Sequence, residues 1–328
     1  MSQSTKKQTA KLDLDALENL LDEGRPSDVL AVLAEAKKKD AAAWFLTGEA
    51  QRQLGSFEDA LKSYAACLKV ADEAERRMDA LLAMAACYRT LGHSAAAYEL
   101  AEDALKMAQE LEYDEFAVRA MQEMGMALRA WGRLEEALDL LDAVLSAYTQ
   151  LKDYAGMSFI HWAKGGIFRL QGHFEEGVAQ FKNAISLAKK AGDDISVAYG
   201  HCGLAGISRI CGKIDECVKN YKLAEKIFRK SEDVFGKAYT NCGMANGLRQ
   251  QGKYDEALRH YNVADKLYSS IHDTVDLGFV KWGRADILKR KNKMAAALKD
   301  LEEARVLFDN SDEKRGQILT KLSLAQVL

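Results

Sequence analysis

One short motif recurs seven times along this chain of 328 residues, and its spacing constrains the fold more than any other feature. Each copy joins a turn residue to an acidic and apolar segment, as in WGRLEEAL and QGKYDEAL. The turn residues are Gly55, Gly92, Gly132, Gly172, Gly212, Gly252 and Asn292. Their spacing is 37 residues once and 40 residues five times. Such a period is typical of a stack built from one supersecondary unit.

Each unit is predicted to be a helix, a tight turn and a second helix. We number positions from the turn residue, so that position −3 lies three residues before it. Glycine or asparagine at the turn can adopt the left-handed conformation that ends a helix, and acidic residues such as Glu135 and Glu136 favour the start of the next. Positions +5, +9 and +12 share one helical face and alternate small with larger residues, as in Ala137, Leu141 and Val144. This alternation predicts second helices that interlock with their neighbours.

The composition supports an all-helical reading. Proline occurs once, at Pro26, so the breaks that β-rich folds need are scarce. Hydrophobic residues make up 48% and charged residues 29%, which allows a core and a polar surface. No uncharged apolar stretch is long enough for a membrane span. We therefore expect a chain that is folded over most of its length and does not insert into a membrane.

The repeated residues carry a family resemblance. Glycine or alanine at position −7, the turn glycine, the small residues at +5 and +12 and the large residue at +9 resemble the tetratricopeptide repeat, over roughly residues 41 to 311. The period is longer than the usual 34 residues or so, and the proline that commonly ends the second helix is absent. The chain is similar to the long-period subgroup found in bacterial peptide-sensing regulators and eukaryotic polarity adaptors. The resemblance implies an all-α fold, a right-handed superhelical α-solenoid of about seven to eight helix pairs.

The domain organisation follows from the register. We expect a disordered tail at 1–12, a capping helical pair at 13–40, and a terminal helix at 312–328 that is a cap or a truncated eighth repeat. The seven repeats are predicted at 41–75, 76–113, 114–153, 154–193, 194–233, 234–273 and 274–311. The apolar residues Leu319, Leu322 and Leu324 of the terminal helix lack a second helix to cover them, which favours self-association there.

A column of cations stands at position −3. Its members are Arg52, Arg89, Arg129, Arg169, Arg209, Arg249 and Lys289, where the overall basic content of 46 in 328 residues would give about one. The resemblance places positions −13, −10, −6 and −3 on the concave surface. There the column would bind acidic side chains, carbonyl groups or a terminal carboxylate of a peptide, because arginine binds carboxylates through two parallel hydrogen bonds. The alternative is a row of internal ion pairs with neighbours such as Glu49 and Asp286.

Aromatic and small residues accompany the cations in the later repeats. Position −13 holds Phe159, Tyr199, Tyr239 and Phe279, and position −10 adds Trp162 and Trp282. Position −6 holds Gly166, Gly206, Asn246 and Asp286. Aromatic and arginine side chains beside a floor of small residues would form a peptide trough in residues 154 to 290. The alternative is an aromatic stripe buried between neighbouring helices.

No pattern in the chain predicts catalysis, a metal or a cofactor. The six cysteines form no C-x-x-C pair, which suits reduced thiols. His161 and His201 lie in adjacent repeats, too far apart for a shared zinc ion, and are predicted to serve the scaffold. No phosphate-binding, nucleophile-elbow or zinc-protease motif occurs. Because no such motif is present, we expect no enzymatic activity. The first residues lack the apolar core of a secretory signal, so we expect a cytoplasmic protein.

The predicted function is therefore that of a protein-interaction scaffold that binds an acidic or amphipathic peptide segment of a partner protein. The predicted binding residues are Arg129, Arg169, Arg209, Arg249, Lys289, Phe159, Tyr199, Tyr239, Phe279, Trp162, Trp282 and Asn246. One alternative is an RNA-binding repeat protein, since arginines and aromatics can hold phosphates and stack on bases. The net charge of −3 disfavours nucleic acid. Another alternative is a peptide-sensing regulatory module of a larger assembly.

Overall fold

A computed structural model describes residues 13–36, 38–311 and 313–327, and within these the chain forms seventeen α-helices and no β-strand. The predicted tail at 1–12 lies outside the described residues. The helices are α1 (Leu14–Asp22), α2 (Pro26–Ala34), α3 (Ala41–Gln53), α4 (Phe57–Val70), α5 (Ala74–Thr90), α6 (Ser94–Glu110), α7 (Asp114–Trp131), α8 (Leu134–Leu151), α9 (Tyr154–Gln171), α10 (Phe174–Ala191), α11 (Asp194–Ile210), α12 (Ile214–Phe228), α13 (Val234–Gln250), α14 (Tyr254–Ser270), α15 (Thr274–Arg290), α16 (Met294–Asp309) and α17 (Lys314–Ala325). None of them is both long and apolar enough to cross a lipid bilayer.

The helices pack in chain order. The pairs α3–α4 to α15–α16 form seven repeats, α1–α2 precede them, and α17 packs on the last pair. The first helices of most successive repeats also touch each other, as α5 touches α7 and α9 touches α11, whereas no two second helices of the described chain make comparable contact. The first helices therefore lie on the inner side of the curve. The predicted all-α solenoid of tetratricopeptide-like helix pairs is confirmed.

The turns between paired helices adopt the conformation that their sequence predicts. The six turn glycines have φ between 74° and 88°, and Asn292 has a φ of 57°. At the third repeat the Gly132 amide donates to the Arg129 carbonyl at 3.3 Å, and the Arg133 amide donates to the Leu128 carbonyl at 2.9 Å. These bonds satisfy the last carbonyl groups of α7, so that α8 can start two residues later.

The core consists of large side chains seated in gaps left by small ones. Phe181, at position +9 of the fourth repeat, is buried between Gly165 of its own repeat and Gly203 of the next. A methyl group on Gly165 would stand 3.0 Å from the Phe181 ring, and one on Gly203 would overlap it. The first helices therefore approach the second helix more closely than side chains would allow.

The solenoid turns back on itself. The turn at Gly24 lies against Glu232, and the turn at Gly55 lies against the carbonyl oxygen of Ile271, more than 200 residues away in the sequence. These contacts bring the α1–α2 pair and the first repeat against the loops that precede α13 and α15. A cleft of about 1410 Å³ lies along the junction. The sequence pattern did not predict this closure.

Substituting Gly55 should open the closure. Gly55→Ala and Gly132→Ala both force alanine into a left-handed backbone, with φ of 78° and 85°, at a cost of about 1 to 2 kcal/mol. Only at Gly55 would the methyl group overlap the Ile271 carbonyl, because no described atom lies within 4 Å of it at Gly132. We expect both variants to melt earlier and only Gly55→Ala to increase the radius of gyration in small-angle X-ray scattering. Equal radii would contradict the closure.

Candidate functional site

The cations at position −3 lie over the first helix of the following repeat in one register. Arg249 donates from Nη1 to Asp286 Oδ2 at 2.6 Å, and Lys289 donates from Nζ to Gln326 Oε1 at 2.9 Å, each across 37 residues. Arginines of the column also stand over position −10 of the next repeat. The Arg249 guanidinium lies 5.4 Å from the centre of the Trp282 ring, in cation–π contact. For these cations, the residue across the repeat boundary therefore supplies a contact.

The cations at both ends of the column are neutralised internally. Ion pairs join Arg52 to Glu49 at 2.6 Å, Arg89 to Glu123 at 3.4 Å, Arg249 to Asp286 at 2.6 Å and Lys289 to Asp286 at 4.0 Å. For the predicted ligand contacts Arg249 and Lys289, these are the internal pairs that the sequence left open as the alternative. Arg119 forms a further pair with Asp79 at 3.0 Å in the same end of the groove as Arg52.

The three central arginines have no such partner. No described carboxylate forms an ion pair with Arg129, Arg169 or Arg209. The residues that would supply one are Gly166 and Gly206, which carry no side chain. A methyl group at Gly166 would stand 2.8 Å from Arg129 Nη2, and one at Gly206 would stand 2.7 Å from Arg169 Nη1. The guanidinium groups of Arg129 and Arg169 thus occupy the space equivalent to that which the Asp286 carboxylate fills beside Arg249.

The corresponding neighbour of Arg209 is Asn246, which is neutral and already engaged. Its Oδ1 accepts from the Tyr261 hydroxyl at 2.8 Å, and its Nδ2 donates to the Cys242 carbonyl at 3.0 Å. Asn246 was predicted to contact the ligand. In the structure it fixes the buried Tyr261 and supplies no charge to the groove.

Burial disfavours the charged form of two of the central arginines, Arg129 and Arg169. Burial, together with the like charges of Arg169 and Arg89, lowers the pKa of Arg129 to about 10. The Arg129 Nε has no hydrogen-bond partner among the described residues. Burial also disfavours the charged form of Arg169, but the neighbouring Tyr239 hydroxyl outweighs this and raises its pKa. The middle of the groove is thus a cationic site without a counter-charge, and an anion would relieve it.

The predicted aromatic residues form a continuous row beside these arginines. Phe159 packs against Trp162 with ring centres 5.9 Å apart, and Trp162 packs against Tyr199 at 6.3 Å. The Arg129 guanidinium stands 5.3 Å from the centre of the Trp162 ring. Tyr199 donates its hydroxyl to Asp233 Oδ2 at 2.7 Å. All three rings are half-buried, so they pack between helices and part of each remains accessible.

The other predicted aromatics are held by the scaffold in different ways. Tyr239 stacks on Phe235 at 6.0 Å and approaches Arg169. Phe279 packs edge-on against the buried Phe308 at 4.9 Å. Trp282 donates from Nε1 to Ser323 Oγ at 2.9 Å and carries the paired Arg249 on its face. The C-terminal members therefore support the last repeats, and the central ones adjoin the unpaired cations.

Three consecutive repeats contain a histidine bonded to an amide of the same repeat. The pairs are His161 Nδ1 with Gln180 Oε1 at 2.6 Å, His201 Nδ1 with Asn220 Oδ1 at 3.0 Å, and His260 Nδ1 with Asn241 Oδ1 at 2.8 Å. The histidine lies on the first helix in two repeats and on the second helix in the third. Each pair stitches its two helices together, as expected for scaffold histidines.

Two carboxylates lie together in the cleft where the solenoid closes. Burial, together with the charges of Asp273 and Glu313, raises the pKa of Asp276 to about 7. Asp273 Oδ1 also accepts a hydrogen bond from the Asp276 amide at 3.0 Å, which caps α15. The folded chain therefore holds a proton on Asp276 more tightly than the unfolded chain.

Stability should fall as the pH rises through the titration of Asp276. With a pKa raised from 3.8 to about 7, this carboxyl stabilises the fold fully below pH 4 and loses that contribution between pH 4 and 7. Asp276→Asn removes the buried charge, so we expect a gain of about 1 to 3 kcal/mol at pH 8 and little change at pH 4. Urea unfolding at both pH values measures this. Glu256→Gln, an exposed first-turn acid of α14, is the control and should show no such gain at pH 8.

Comparisons with known proteins agree with this architecture. The family model described as tetratricopeptide repeat matches residues 41–73, which form α3 and α4. No curated protein matches the chain significantly in sequence. A structure described as Rap protein complexed with competence and sporulation factor is 16% identical, with a TM-score of 0.72, and the match covers 96% of this chain and 86% of that one.

Two further solved structures share the fold. The Rap conjugation gene regulator of the plasmid pLS20, in complex with the Phr* peptide, is 14% identical with a TM-score of 0.67, over 96% of this chain and 82% of that one. NprR in complex with its cognate peptide NprX is 12% identical with a TM-score of 0.63, over 95% of this chain and 96% of that one. At these identities the likeness establishes the fold.

Proposed function

We propose that this chain, whose residues 41–73 match the tetratricopeptide-repeat family model, is a non-enzymatic scaffold whose central repeats bind an acidic segment of a partner protein. The observation that carries this proposal is the division of the cation column. Its ends are neutralised by Glu49, Glu123 and Asp286, whereas Arg129, Arg169 and Arg209 meet no carboxylate of the described chain. An acidic ligand supplies the charges that the neighbouring repeats omit.

The chemistry of these three residues suits carboxylates on a peptide. A hydrogen bond to a charged group contributes about 1.5 to 3 kcal/mol, more than a neutral one. Arginine also presents two parallel donors that match both oxygens of a carboxylate. One arginine in each repeat makes a row of evenly repeated contacts, which fits an extended or helical segment. Trp162 and Tyr199 lie beside this row and provide an apolar surface for the bound segment.

Two observations favour a peptide over nucleic acid. NprR and the pLS20 regulator, which share this fold, were solved with peptides. In addition, the chain has a net charge of −3, which disfavours binding of a phosphate backbone. The experiment below also tests for RNA binding.

The test restores the missing carboxylates without changing any arginine. Gly166→Asp with Gly206→Asp places a carboxylate where Asp286 stands opposite Arg249. The added side chains meet only the flexible ends of Arg129 and Arg169, so the fold should persist. Random 16-residue peptides displayed on phage are selected on the wild-type chain, and enriched peptides are titrated by fluorescence anisotropy. We expect enrichment in Asp and Glu, and at least tenfold weaker binding to the double variant.

The matched control adds the same two charges outside the groove. Asn183→Asp with Ser186→Asp changes exposed positions of α10, and should bind as the wild type does. Circular dichroism melting checks that both variants are folded. Unchanged binding by the Gly166/Gly206 variant would contradict the proposal. Tight binding of a poly-uridine RNA that weakens steeply with salt, in the absence of acidic peptide enrichment, would replace it with the RNA-binding function.

A further inference from the structure

A strip of exposed apolar side chains borders the central arginines. Position −2, at the end of each first helix, holds polar residues at both ends of the array, which are Gln53, Thr90, Gln250 and Arg290. In the fourth and fifth repeats it holds Leu170 and Ile210, which are 57% and 48% exposed. In the third repeat it holds Ala130, followed by Trp131, which is 47% exposed. We call Trp131, Leu170 and Ile210 the central rim.

The central rim occurs in the same three repeats as the unpaired arginines. Leu170 directly follows Arg169, and Ile210 directly follows Arg209. Where the cation at position −3 is paired within the chain, position −2 is polar, and where the cation is unpaired, position −2 is nonpolar, namely Ala130, Leu170 or Ile210. Two independent properties therefore change together at the same repeat boundaries. Neither the packing of the core nor the turn requires this, because position −2 is exposed in all seven repeats.

Aligned exposure of this kind differs from the scattered apolar residues of ordinary surfaces. Single exposed leucines are common, but apolar side chains at one position of consecutive repeats form a stripe along the solenoid. Trp131 is also held in place on the surface, since the Arg133 guanidinium lies 5.1 Å from its ring centre. A stripe that is kept apolar beside a row of charged residues has the character of a contact surface.

We propose that the central rim is the second half of the binding surface, so that the ligand is an amphipathic acidic segment. One side of the segment presents Asp or Glu to Arg129, Arg169 and Arg209. The other side presents Leu, Ile, Met or Phe, which cover the central rim. This inference rests on the proposed function and specifies the ligand further: acidity alone is insufficient for tight binding.

The charges select this occupant over the others. A second copy of the chain, laid rim to rim, would bring two sets of unpaired arginines together, and their repulsion opposes that contact. Leu170 and Ile210 are aliphatic, and the Arg133 guanidinium lies over the Trp131 ring, so the central rim is poorly suited to stacking on nucleic-acid bases. A segment with acidic and apolar sides satisfies both the cations and the rim.

The test converts the rim to the residue that stands at position −2 in the first and sixth repeats. Leu170→Gln with Ile210→Gln changes exposed side chains, so the melting temperature should stay within a few degrees. Peptides enriched on the wild-type chain are titrated against this variant. We expect the enriched peptides to carry apolar residues beside the acidic ones, and the variant to bind them at least tenfold more weakly. Leu223→Gln with Val263→Gln, exposed on α12 and α14, is the control that should bind normally.

A second measurement separates direct contact from an indirect effect. Enriched peptides are resynthesised with their apolar residues changed to Ser. These peptides should lose affinity for the wild-type chain but lose little more on the Leu170/Ile210 variant, because the same contact is removed twice. Additive losses would overturn the assignment of the rim as the partner of those residues.

The outcomes distinguish this inference from the proposed function. Acidic peptides without apolar residues, bound equally by the wild type and the Leu170/Ile210 variant, overturn the inference and leave the function standing. Binding that also survives Gly166→Asp with Gly206→Asp overturns both. A fall in the mass measured by light scattering on the rim substitution, without a change in peptide affinity, shows that a second copy covers the rim and overturns the inference.

Discussion

The contact on which the rest of the structure depends is the seating of one large side chain between small residues of two first helices. Phe181 lies between Gly165 and Gly203, and the buried Tyr221 and Tyr261 lie against Gly243 and Gly283 in the same way. Because these contacts leave no slack, they set the distance and the rotation between successive repeats. Position −3 of one repeat is then held opposite position −6 of the next.

Because positions −3 and −6 face each other in this way, the charge of the groove is set separately at each repeat boundary. An aspartate at position −6 neutralises the preceding arginine, as Asp286 does for Arg249, whereas glycine leaves it free and gives it room. A change of one residue per repeat therefore adds or removes one cation from the groove without disturbing the helices. The same scaffold can present a neutral or a cationic stretch at any chosen repeat.

The sequence predicted the parts that depend on short-range chemistry. The turn glycines, Asn292, the small and large positions of the second helices and the all-helical fold follow from backbone preference and periodicity, and the structure confirms them. The sequence also revealed the arginine column. It did not reveal which arginines lack an ion-pair partner, because Arg249 and Asp286 belong to different repeats and meet only through the packing register. The contact between Gly55 and Ile271 could not be predicted from the sequence, because the path of a solenoid is the sum of small rotations at every repeat boundary.

That closure changes how the array is expected to come apart. In an open solenoid each repeat contacts only its neighbours, stability is a sum of local terms, and the ends unravel first. Here the turns at Gly24 and Gly55 rest on the fifth and sixth repeats, so losing the first helices also removes support from the middle of the chain. Contacts between residues more than 200 apart in sequence carry a high loop-closure cost and form late in folding. The array therefore gains the cooperativity of a globular domain while keeping the construction of a linear one.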